Sequence, residues 1–212
     1  MQTTEKTTES LIEEALSKAL SYADYRKLVA QLTAEGGSTG PEQTDDLANY
    51  TLMNDRRMRR FDKTVKVDAD IRAEIASVSR QITLLVLTES WCGDAAPSLP
   101  VMNKVADLND NISFKVLLRD ENTGLMNRFL TNGAMSIPKL IFLDAGATRP
   151  EDKYIPFAVW GPRPLPAAQL VLDHKERHGE ILPELKEELQ QWYNKDKGQT
   201  ILREITALLP KP

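Results

Sequence analysis

The stretch Ile82-Thr83-Leu84-Leu85-Val86-Leu87-Thr88-Glu89-Ser90-Trp91-Cys92-Gly93-Asp94-Ala95 decides the reading of this chain. Its first seven residues are apolar or β-branched with no polar alternation, the pattern of a strand covered on both faces. Glu89 and Ser90 end that run, and residues 95–108 then follow helical spacing. Cys92 therefore falls where a strand hands over to a helix, so its sulfur faces the unpaired N–H groups and positive dipole end of that helix. Both features favour the thiolate, the form of cysteine that acts as nucleophile. Asp94 and Glu89 oppose them, because negative charge aimed at the sulfur would raise its pKa. Sequence alone leaves that balance open.

Working outward toward the C-terminus, residues 112–118 read as a strand, 122–130 as a helix and 139–144 as another strand, which gives the order β-α-β-α-β. Residues 154–160 suit a last strand, followed by helical stretches over 167–177 and 182–209, the second open to interruption at Gly198. Toward the N-terminus, Ser10 with Glu13 resembles a capping box, and Leu11, Ile12, Ala15, Leu16, Ala19 and Leu20 recur with helical spacing. Gly36, Gly37, Gly40 and Pro41 make a loop of residues 34–42. A second helix starts at Asp45 or Asp46 with Leu47, Tyr50, Met58 and Phe61 as its buried stripe, and Ile71, Ile75 and Val78 mark a third. The expected division is an all-helical N-terminal extension (1–80), an α/β core (81–178) and a C-terminal helical segment packing on it (179–212).

Composition narrows the function. With 41% hydrophobic and 27% charged residues in 212, the chain reads as a soluble globular protein of one domain plus an elaboration. A net charge of -4 gives no general attraction to nucleic acid or anionic membrane, so neither is expected as a partner. The segment 1–9 is polar, and no stretch approaches the about 18 uninterrupted apolar residues of a membrane helix; a cytoplasmic location is expected. One cysteine excludes an intrachain disulfide and a self-contained dithiol cycle, and suits a reducing compartment.

The Trp91-Cys92-Gly93 turn between strand and helix resembles the active-site turn of the thioredoxin family. Pro100, eight residues after the cysteine, stands where that family has a helix proline, and Ser136-Ile137-Pro138 ahead of the strand at 139–144 resembles its cis-proline loop. The resemblance covers about residues 81–177. It implies a thioredoxin fold, a central mixed sheet with helices on both faces, and a cis bond at Pro138. It implies Cys92 as the attacking residue, with Trp91, Gly93, Asp94, Ile137 and Pro138 contacting the substrate. The Trp-Cys-Gly-Asp turn, with 118–122 (Leu-Arg-Asp-Glu-Asn) and 160–164 (Trp-Gly-Pro-Arg-Pro), is similar to a bacterial branch of the family. Two positions depart from the family pattern. Ala95 replaces the resolving cysteine, and Val86 stands where the family has a buried acid. Monothiol glutaredoxins fit less well, since Leu143-Asp144-Ala145-Gly146 replaces their paired-glycine segment.

Two functions follow. In one, Cys92 performs monothiol thiol–disulfide exchange in redox homeostasis, as a thiol-disulfide oxidoreductase acting on a protein or small-molecule thiol or disulfide, with no bound cofactor and an external low-molecular-weight thiol as resolving partner. In the other, the domain is a non-catalytic binding module that grips a protein through the cis-proline edge and the helical extension. An iron-sulfur role would need two chains to share one cluster. The Arg56, Arg57, Arg59 and Arg60 cluster is expected to be a solvated helix face, and His174 with His178 likewise, with no metal.

Overall fold

The computed structural model describes residues 6–146 and 154–211; Met1 to Glu5 of the polar N-terminal segment lie outside them. Thr7 caps α1 (Thr8–Lys18) by accepting the Ser10 N–H, so the helix starts before the Ser10/Glu13 pair. The chain then extends for two residues as β1 (Leu20–Ser21), and Ser21 caps α2 (Tyr22–Glu35) through the Asp24 N–H. The N-terminal part is thus helical apart from one short strand, which apolar spacing could not reveal because Ala19 and Leu20 continue the helical pattern. Gly36 ends α2 in the left-handed conformation (φ 71°), and Thr44 caps α3 (Asp45–Thr64), which is followed by α4 (Ala69–Ala76).

The core alternates β2 (Ile82–Thr88), α5 (Ala95–Ala106), β3 (Ile112–Leu118), the short α6 (Thr123–Met126), β4 (Lys139–Asp144) and β5 (Pro156–Trp160). The chain closes with α7 (Leu165–His178), α8 (Glu184–Asp196) and α9 (Gln199–Ala207). Helix α6 is shorter than the spacing over 122–130 suggests, since residues past Met126 pass into turns. Gly198, at φ 80°, separates α8 from α9.

The five strands lie in the order β1-β3-β2-β4-β5. Strand β2 runs parallel to β3 and antiparallel to β4, while β1 and β5 close the edges antiparallel. Every residue of β2 is buried, which requires cover on both faces of the sheet. Helices supply it: α5 packs on β2, β3, α3 and α9, and α2 packs on β1, β3 and α3. This is an α/β fold with a mixed sheet and helical parts at both ends. Among the described residues no helix is long and apolar enough to cross a membrane.

Two peptide bonds are cis, Ile137–Pro138 and Gly161–Pro162. They lie side by side, because Gly161 passes so close to the Pro138 carbonyl that a Cβ there would sit 2.2 Å from its oxygen. Gly161 also has φ 111°, a conformation side-chain-bearing residues rarely adopt. Gly161→Ala is therefore expected to destabilise the fold by about 2 kcal/mol or more, read as a melting temperature lowered by roughly 5 °C. An unchanged thermal melt would contradict this packing.

Candidate functional site

Cys92 lies one turn beyond the C-terminal end of β2, at the approach to α5. The segment before it is anchored by a buried polar network. Thr39 and Ser90 exchange backbone-to-side-chain bonds of 2.8 and 2.9 Å, the Thr51 and Ser90 hydroxyls meet at 2.8 Å, and Asn54 donates to the Ser90 carbonyl at 2.9 Å. The loop after α2 and the inner face of α3 thus hold the turn in place. Buried Thr and Asn carry no periodic signal, so this anchor is not legible from residue spacing.

The thiol is nearly enclosed, with Cys92 7% exposed, and it donates to the Ile137 carbonyl at 3.3 Å. Backbone N–H groups of Asp94 and Ala95 point at the sulfur and favour its charged form, as the helix start suggests. Burial outweighs them, and the nearby Asp94 charge acts with burial, so the thiol is pushed up to about 12. The balance left open above falls on the protonated side. Glu89 turns its Oε1 to the Asp120 N–H at 2.9 Å and is also held above the usual carboxylate range by burial.

Asp94 is itself buried. Its Oδ1 accepts from the Tyr193 hydroxyl at 2.9 Å, and its Oδ2 pairs with Arg163 at 2.6 Å. Asp94, expected to contact substrate, has both oxygens engaged by this chain, and it ties the start of α5 to the turn after β5 and to α8. Trp91 is half-buried with the Arg119 guanidinium stacked over its ring at 5.0 Å, and Arg119 pairs with Asp120 at 2.7 Å. The stretches 91–94, 118–122 and 160–164, far apart in sequence, thus converge around one sulfur.

Above it opens a cleft of about 460 Å³. Trp91, Cys92, Gly93, Asp94 and Ile137 line it, whereas Pro138 is not among its lining residues and has its carbonyl against Gly161. Helix α3 contributes Tyr50 and Arg57, and α8 contributes Lys186 and Tyr193. Both ends of the chain therefore build walls of the site, which the separate periodicities of the helices did not indicate. Within the arginine cluster, Arg59 pairs with Asp55 and Arg60 reaches Asn194, but Arg57 turns into the cleft rather than to solvent. His174 is buried, not on a solvated face, and its Nε2 accepts the Leu182 N–H at 3.2 Å. Among the described residues no group of three or more His, Cys, Asp or Glu side chains gathers to hold a metal.

The thiol's position has a consequence for stability. The native chain keeps the Cys92 proton up to about pH 12, whereas the unfolded chain releases it near the ordinary 9.0, so the unfolded state binds fewer protons between these values. Stability then falls as pH rises through that window, by about 2 kcal/mol at pH 10.5 from this group. Denaturant titrations from pH 8.5 to 10.5 are expected to show a steeper decline in the wild type than in Cys92→Ala. Parallel declines would mean that the native thiol is not held protonated.

The family model described as Thioredoxin matches residues 40–178, from the loop that anchors Ser90 to the end of α7. No curated protein matches the chain. Among solved structures, a protein of unknown function from Pseudomonas aeruginosa is similar with a TM-score of 0.55 and 18% identity, over 74% of this chain and 83% of that one. An HIV epitope-scaffold is similar with a TM-score of 0.52 and 18% identity, over 89% of this chain and 97% of that one. At such identity these likenesses concern the fold. The family match spans the greater part of the sequence, including the turn, strands β2 to β5 and the cis-proline loop, and the chain belongs to the thioredoxin family.

Proposed function

We propose that this chain carries out monothiol thiol–disulfide exchange on a disulfide seated in the cleft above Cys92. Cys92 sulfur attacks one sulfur of the bound disulfide; a new S–S bond joins them, the old one breaks, and the departing sulfur takes up the proton that Cys92 releases. Ala95 stands where a second thiol would resolve the adduct, so an external low-molecular-weight thiol attacks the partner's sulfur in it; the Cys92 sulfur leaves and takes up the proton of that thiol, and the partner departs as a mixed disulfide with it. The observation that carries this reading is the placement of the chain's one thiol at the floor of an open cleft, with two backbone N–H groups toward it. Ile137 supplies partner-facing backbone beside it, and Trp91 and Gly93 form the rim. The raised thiol pKa makes the resting protein slow toward oxidants free in solution and confines exchange to partners that bind. A reducing compartment such as the cytoplasm suits a single unpaired thiol. The Trp-Cys-Gly-Asp turn supports membership of a bacterial monothiol branch.

One observation favours a second reading, a binding module in which Cys92 does not turn over: the thiol is both enclosed and bonded to the Ile137 carbonyl as a donor. Intact-mass spectrometry after incubation with an excess of a small disulfide separates the two. Exchange predicts one adduct on the native wild type, removed by added thiol and missing from Cys92→Ser. If the denatured chain takes the adduct and the native chain takes none over hours, the binding module stands and exchange falls.

A further inference from the structure

Four cations line the cleft, and two are already neutralised within the chain, Arg163 by Asp94 and Arg119 by Asp120. The other two are not. Arg57 on α3 is half-buried, and its Nη1 donates to the neutral Asn54 Oδ1 at 3.0 Å. Lys186 on α8 donates to the Tyr50 hydroxyl at 2.7 Å, with its Nζ 5.1 Å from the centre of that ring. Among the described residues neither has a carboxylate within ion-pair distance. Burial and the neighbouring Arg60 both work against the charged form of Arg57, so its guanidinium carries a desolvation cost that no anion of this chain offsets. It stands at the centre of the site: a Cβ built on Gly93, the residue after the cysteine, would come within 3.9 Å of it.

A cleft of about 460 Å³ is within the range of small-molecule pockets. A planar guanidinium fork matches a carboxylate, and the ammonium that α8 brings to Tyr50 adds a second point of charge. We propose that the cleft takes a carboxylate-bearing small molecule, with Arg57 and Lys186 as its charge partners and its uncharged part over Trp91 and Cys92. This rests on the reading of the cleft as the ligand site and names the ligand class, an anionic low-molecular-weight thiol or disulfide. The two cations come from outside the α/β core, so the helical segments at the two ends of the chain supply the selectivity, while the core supplies the sulfur.

The test uses a pair of probes that cannot undergo exchange: 5-(methylthio)-2-nitrobenzoate and its uncharged methyl ester, titrated calorimetrically into the full chain. The acid is expected to bind about tenfold more tightly than the ester, with a preference that weakens as salt is added. In Lys186→Gln, an exposed position, and in Arg57→Gln with its fold checked by circular dichroism, the preference is expected to shrink, and in the double variant to vanish. Equal affinity for acid and ester, a preference unchanged in both variants, or no binding of either probe at millimolar concentration would overturn the proposal. Because neither probe holds an S–S bond, failure here leaves the adduct experiment standing, and failure of exchange leaves this binding result standing.

Discussion

The burial of β2 on both faces and along both edges is the constraint from which the rest of the architecture follows. Its seven residues are all buried, five of them Ile, Leu or Val, and each such side chain contributes about 1.5–3 kcal/mol on leaving water. Strand backbone in that position cannot leave its N–H and C=O groups unpaired, so it needs a neighbour on each edge, and β3 and β4 fill those places. The faces must be covered as well, which brings the helices down on the sheet. Polar residues can appear again where the strand ends, and there the chain turns through Glu89, Ser90, Trp91 and Cys92 into α5.

A second constraint acts at that turn. Asp94 is a buried carboxylate, and removing a single partner from a buried charge costs more than the pair itself contributes. Tyr193 and Arg163 are therefore required neighbours, and they reach it from α8 and from the turn after β5. Through this one carboxylate the C-terminal helices are fastened over the start of α5, beside the thiol. The result is a site with a rigid floor and walls drawn from both ends of the chain. Its sulfur is kept protonated by the enclosure that makes the cleft, so the burial that shapes the cleft also quiets the thiol.

Locally encoded features of this chain are legible in its residues. The continuous apolar run of β2, the strand periods of β3 and β4 and the break at Gly198 are properties of a few adjacent residues, and turn chemistry or side-chain alternation is enough to recognise them. The strand–turn–helix position of Cys92 follows from the apolar run and the helical spacing after it, and its nearness to Ile137 from a motif resemblance, which needs no contact map. The two-residue β1 was missed because a segment that short has no period of its own; its pairing with β3 is set by the packing of α1 and α2. The length of α6 was misjudged since apolar residues past Met126 fit a helical stripe whether or not the backbone turns.

By itself the sequence determined the class of fold, the place of the sulfur between a strand and a helix, and the lack of a second thiol to resolve an adduct. Only the tertiary structure decided the state of that sulfur and the composition of the cleft around it. Protonation depends on how much water is excluded and which charges stand nearby, and these are set by residues remote in sequence: Ile137 is 45 positions from Cys92, and Tyr193 is 99 from Asp94. Arg57 looked like one of four solvated arginines until the packing of α3 against the turn aimed it at Gly93. Local spacing records which face of a helix is apolar, but it holds no information about what distant surface a charged side chain will meet.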